Sequence, residues 1–216
     1  GVITLEFPSL SKLIEQNQFD TIYHEHFSYL SLYTVSQIFQ FAGLRIWNVE
    51  ELSTHGGSLR VYGCHQEDKR VTTNSIENIL KQEKEEGLQT LDAYIIFQDL
   101  ADQVKNVLLQ FLIEQKQAGK KVAAYGAAAK GNTLLNYAGV KPDLLPYVCD
   151  AAQSKQGKYL PGSHIPILTP SALHNELHDV VLILPWNIAA EIKAQLAGLV
   201  KGNTDFVIAV PDIRLI

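Results

Sequence analysis

The 216-residue chain has no methionine, only two cysteines and two tryptophans, and no run of apolar residues long enough to span a bilayer. Cys64 and Cys149 are too few for a disulfide framework or a structural zinc site. Without a membrane-length segment or a secretory leader pattern, the expected location is the cytoplasm, with no membrane partner. Charged residues make up 19% of the chain, and the net charge is −5, with no basic stripe to neutralise phosphates. Nucleic acid is therefore not an expected partner. The absence of methionine, with Gly1 opening a strand-like run, marks the chain as an expected piece of a longer protein. What is abundant is apolar residues, at 46%, enough to bury a core.

The densest reactive chemistry lies in Tyr23-His24-Glu25-His26-Phe27-Ser28-Tyr29. As a strand, this stretch would put His24 and His26 on one face; as the first turn of a helix, it would bring Tyr23 and His26 together. The helix is favoured, because Phe27, Leu30, Val35, Ile38, Phe39 and Ala42 then fall mostly on one stripe and Gly43 supplies a stop. A His and a Tyr on one face with a Glu beside them suit acid–base chemistry. A zinc reading of His24 and His26 lacks a third ligand and the H-E-x-x-H spacing.

Before this stretch, residues 1–8 read as a strand ended by Pro8, and residues 9–16 as a short helix. After it, residues 44–50 and 59–65 alternate as strands around the turn His55-Gly56-Gly57-Ser58, which predicts an antiparallel hairpin. Asn74 and Glu77 have the spacing of a capping box. The charged run 81–86 reads as a solvated helix face, Gly87 as a break, and residues 91–119 as a further helix. From residue 121, strands near 121–125, 147–149, 164–168, 180–184 and 206–210 alternate with helices, which predicts a parallel sheet with crossovers.

The first of these strands runs into Gly126-Ala127-Ala128-Ala129-Lys130-Gly131-Asn132-Thr133, a G-x-A-x-x-G turn one residue away from the dinucleotide fingerprint. Asp150 follows 19 residues after Gly131, where that fingerprint places its ribose carboxylate. The Cβ of Ala128 opposes a dinucleotide pyrophosphate, and Asn132 stands where a P-loop needs lysine. A helix N-terminus beside Lys130 remains a candidate anion site. The basic loop Lys155-Gln156-Gly157-Lys158-Tyr159 and the turn Pro185-Trp186-Asn187 are expected at the same sheet edge.

Together Phe19-Asp20-Thr21-Ile22-Tyr23-His24-Glu25-His26-Phe27-Ser28-Tyr29, His55-Gly56-Gly57-Ser58-Leu59-Arg60, Tyr125-Gly126-Ala127-Ala128-Ala129-Lys130-Gly131-Asn132-Thr133 and Lys155-Gln156-Gly157-Lys158-Tyr159-Leu160-Pro161-Gly162 resemble a known family. It is that of the S-adenosylmethionine-dependent C-methyltransferases acting on nucleotide-linked keto-sugars. The resemblance implies an α/β protein: a partial methyltransferase sheet followed by a Rossmann-like parallel-sheet domain. Residues 1–73 would be the last three strands of the methyltransferase sheet, 74–117 a helical connector and 118–216 the Rossmann-like domain. In such a sheet the exits of the first and second strands here face one edge, bringing His26 and His55 toward one pocket. The resemblance implies His26 as the base that deprotonates the carbon next to the ketone, as a neutral imidazole can near neutral pH. Tyr23 would orient the keto-sugar, Glu25 would orient a neighbour, and His55 would complete the site. Gly126, Lys130, Gly131, Asn132, Asp150, Lys155, Lys158 and Tyr159 would hold the nucleotide sugar.

The family's zinc module and glycine-rich S-adenosylmethionine loop are absent from these residues. The cofactor is therefore expected only of the complete protein, this piece alone is expected to be inactive, and its open sheet edge favours self-association. Two alternatives remain at this level: a nicotinamide-dependent oxidoreductase and a noncatalytic nucleotide-sugar-binding module.

Overall fold

A computed structural model describes residues 1–216, which form two compact units. The first comprises Gly1–Gln18 and His26–Asp99; the second comprises Phe19–Glu25 and Leu100–Ile216. The strands of the first unit are β1 (Ile3–Pro8), β2 (Leu44–Leu52) and β3 (Ser58–His65), and its helices are α1 (Leu10–Glu15), α2 (Leu32–Phe41) and α3 (Asn74–Glu85). Helix α4 (Asp92–Gln117) begins in the first unit and continues into the second.

The first sheet has the order β1-β3-β2, with β3 antiparallel to both neighbours. The glycine-rich turn makes β2 and β3 the expected hairpin, and β3 inserts between two strands that run the same way. Leu32, Val35 and Phe39 of α2 then pack on Ile46, Val49, Leu59 and Val61. Gly63 is where this packing is closest. A Cβ there would lie 1.9 Å from Phe39 Cε1, so the phenyl ring rests on bare backbone. Gly63→Ala should displace the ring and cost about 1–3 kcal/mol, measurable by denaturant unfolding. An unchanged midpoint would mean that α2 shifts freely.

Helix α2 does not begin in the histidine-bearing stretch. Residues 22–31 contain no helix, and Phe27 is 94% exposed. The helix starts at Leu32 because its donors are satisfied there. Ser31 Oγ accepts from the Thr34 N–H at 3.1 Å, and the Glu83 carboxylate accepts from the Leu32 and Tyr33 N–H groups at 2.6 and 2.9 Å. Its end agrees with expectation, since Gly43 adopts φ +70° just past the last turn.

The 81–86 run departs from its reading as a solvated face at one position. Glu83 continues the Ile76–Ile79/Leu80 stripe and is 1% exposed. The capping box also fails, because Thr73 is the N-cap of α3 and makes no side-chain capping bond.

The second unit holds β4 (Val122–Tyr125), α5 (Ala129–Tyr137), β5 (Val148–Cys149), β6 (Ile167–Leu168), α6 (Ala172–Asn175), β7 (Val180–Ile183), α7 (Ala189–Leu196), β8 (Asp205–Ile208) and β9 (Arg214–Leu215). Their order is β6-β5-β4-β7-β8-β9, parallel except for β9, which the sequence pattern did not reveal. All four residues of β4 and of β7 are buried, as expected for central strands covered on both faces. One face packs Tyr125, Ile183, Phe206 and Ile208 against Leu173, Ile192 and Leu196. No helix is long and apolar enough to cross a membrane.

Candidate functional site

In the first unit, the end of β1 and the turn between β2 and β3 meet at one edge. Pro8 pairs with Ser58, and the Ser9 N–H donates to Gly57 O at 3.0 Å. Gln18, buried at the end of this segment, donates from Nε2 to Gly56 O at 2.7 Å. The shared edge expected from the strand order is therefore present. His55 sits in the turn at φ +57° and is exposed. His26 is half-buried, with its ring centroid 6.4 Å from that of Tyr29 in an edge-on arrangement. The Leu10 N–H donates to Leu30 O at 3.1 Å, which fixes where the chain returns after the reactive stretch.

Tyr23, His24 and Glu25 belong with the second unit, as part of Phe19–Glu25. Phe19, Asp20 and Thr21 form a single turn of 3₁₀ helix and are all buried. Phe19 packs on Tyr137 of α5, with ring centroids 5.3 Å apart. Tyr137 in turn donates to Asp102 Oδ1 at 2.5 Å. The Asp20 side chain accepts from the Trp186 indole at 2.7 Å, and Lys130 Nζ lies 4.6 Å from the Trp186 ring centroid. Tyr23 is half-buried, whereas His24 and Glu25 are exposed.

This group escaped the sequence reading of Asp20, whose neighbours offer only turn chemistry. Burial raises the Asp20 carboxyl from 3.8 to about 6, opposed by the indole bond and by Lys130. Burial also lowers the Lys130 ammonium, with Asp20 acting in the other direction. A carboxyl whose folded pKa exceeds its unfolded one binds the proton more tightly when folded. Its contribution to stability is complete below the unfolded value and is lost as pH rises through about 6. Melting curves should therefore show Asp20→Asn gaining on the parent protein as pH rises through about 6. A pH-independent difference would contradict the burial of an ionising group.

The loops after β4, β5 and β7 lie at the carboxyl edge of the parallel sheet, as expected. Gly126 follows β4 at φ +99°. Asp150, 8% exposed, faces inward: its Oδ2 accepts from the Ala127 N–H at 2.7 Å and from Lys155 Nζ at 3.2 Å. Its Oδ1 accepts from the Ala152 N–H at 2.8 Å. The carboxylate thus braces the G-x-A loop. Gly131 is packed under Leu184, whose Cβ would lie 2.7 Å from an added methyl. Asn132 Oδ1 is buried without a hydrogen-bond partner, while Lys158 and Tyr159 are exposed, Tyr159 by 65%.

An α/β chain with this order of strands, a histidine-rich stretch and a braced G-x-A loop can be placed by comparison. Residues 53–211 match the C-methyltransferase C-terminal domain family, and the chain belongs to it. One relative is C-methyltransferase NovU from Streptomyces niveus, 34% identical over all 216 residues. The chain spans about half the length of that relative, 51%.

Proposed function

We propose that the chain is the C-terminal portion of an S-adenosylmethionine-dependent C-methyltransferase whose acceptor is a nucleotide-linked keto-sugar. The observation that carries the reading is the shared edge of the first sheet. The Gln18–Gly56 bond ties the origin of the reactive stretch to the turn bearing His55. The sheet also fits a cofactor-bearing partner half: β1 pairs only with β3, and Val2, Ile3 and Leu5 are 40–49% exposed along it.

When bound, S-adenosylmethionine supplies an electrophilic methyl group. The work of this chain is to make carbon nucleophilic. His26 takes the proton from the carbon next to the ketone, and the Tyr23 hydroxyl donates to the ketone oxygen as negative charge collects there. Glu25 and His55 orient the pair. On the second unit, the loop carrying Lys155, Lys158 and Tyr159 faces the diphosphate and sugar through charge-assisted bonds.

The test uses the full-length protein with a nucleotide keto-sugar in deuterated buffer. Deuterium should enter at the carbon next to the ketone, and a methylated product should form only when S-adenosylmethionine is added. Methylation of a free keto acid in preference to the nucleotide sugar, or no exchange at carbon, would refute the reading.

A further inference from the structure

In open α/β sheets, ligands enter the crevice where the strand order reverses, between β4 and β7 in this sheet. Here that crevice is closed by the protein itself. A Cβ on Gly126 would lie 2.4 and 2.5 Å from Pro185 Cδ and Cγ, so the loops after β4 and β7 touch. Trp186 follows at once, and its indole N–H is directed at Asp20, 166 residues away in sequence. Asp20 is 0% exposed, and its Oδ1 has no hydrogen-bond partner.

Burying a carboxylate is costly unless it is paired. An apolar residue would fill the same volume at lower cost, and Phe19 already supplies apolar contact through Tyr137. What the carboxylate adds is direction, because the indole donor and the Lys130 charge together admit one placement of the turn. The turn is short and internally bonded, with Ile22 N–H to Phe19 O at 3.0 Å and Tyr23 N–H to Thr21 O at 3.1 Å. A shift at Asp20 therefore passes to Tyr23 three residues on and to Glu25 at the end of the same segment.

We propose that Asp20 is a positioning residue for methyl transfer: bonded to Trp186 beside Lys130, it locks the Phe19–Glu25 segment into the switch point of the Rossmann-like sheet and so sets where Tyr23 and Glu25 stand. The assignment rests on the catalytic reading of that stretch given above. It gives the Rossmann-like unit a role besides ligand contact, with its crevice occupied by the chain's own reactive segment. The charged and polar groups facing the carboxylate are Lys130 from α5, the Trp186 indole and the backbone N–H of Asp20.

The experiment uses the full-length protein. The part of the tryptophan emission that Trp186→Phe removes should change with pH around a midpoint near 6, and Asp20→Asn should abolish that change. Asp20→Asn and Trp186→Phe should each lower kcat by about 10- to 100-fold, the scale of a small misplacement of reacting groups. KM should stay nearly constant, and melting temperature at pH 8 should not fall in Asp20→Asn. A pH-independent emission, an unchanged kcat in both variants, or a loss of kcat matched by loss of folded protein in both would each overturn the proposal. The emission readout is independent of the chemistry. If His26→Gln keeps full activity while Trp186 still titrates through Asp20, the catalytic reading fails and the lock itself stands.

Discussion

Replacing His26 by Gln in the full-length protein will lower the rate of methyl transfer by about 10²–10⁴-fold, the range associated with removing a general base. Gln retains comparable bulk and hydrogen-bonding capacity but cannot accept and release the carbon-bound proton. His26 is half-buried, so the melting temperature should change less than on truncating a fully buried side chain. Affinity for the nucleotide sugar should also persist, because the groups proposed to hold the diphosphate lie on the other unit. Deuterium entry at the carbon next to the ketone should disappear together with methyl transfer. Near-normal turnover would move the base to His24 or His55. Loss of folded protein would assign His26 a packing role instead.

The largest stability effect is expected from Glu83→Ala. The carboxylate closes the N-terminus of α2 from the neighbouring helix, accepting from the Leu32 and Tyr33 N–H groups at 2.6 and 2.9 Å. Leu32 is 0% exposed, so its N–H cannot turn to water when the acceptor is removed. Two charge-assisted bonds are lost, and at least one donor is left buried and unsatisfied. The expected cost is about 2–4 kcal/mol in chemical denaturation. Glu83→Gln, which can still accept through one oxygen, should cost less. Equal losses for Ala and Gln would show that the charge alone matters, whereas a negligible loss for Ala would mean that α2 frays without consequence. Burial raises the Glu83 carboxyl above its ordinary value, while the two N–H groups work against that rise.

Glu83 also shows where sequence reading stops. Lys81, Gln82, Lys84, Glu85 and Glu86 are exposed, as the charge run implies, and only Glu83 turns inward. The helical stripe Ile76, Ile79, Leu80 points to that face, but charge density hides the one residue that shares it. The histidine-bearing stretch failed in the opposite way. Leu30, Val35 and Phe39 extend an apolar period backward toward Phe27, yet the helix starts where its donors find acceptors, and Glu83 supplies two of them. Helix ends depend on such distant acceptors more than on periodicity.

The sequence by itself determined the alternation of the second unit, the hairpin at His55-Gly56-Gly57, the stop at Gly43 and the motifs that carry family membership. These follow from local faces and from glycines at turns, so neighbouring residues suffice to specify them. Tertiary structure alone decided that β9 closes the sheet antiparallel, that Asp150 bonds back to Ala127, and that Asp20 meets Trp186. A carboxylate has the same local preferences whether it will face a ribose, a backbone N–H or an indole. Its partner is chosen by which surfaces come together when apolar faces are buried, and that choice leaves no period in the chain.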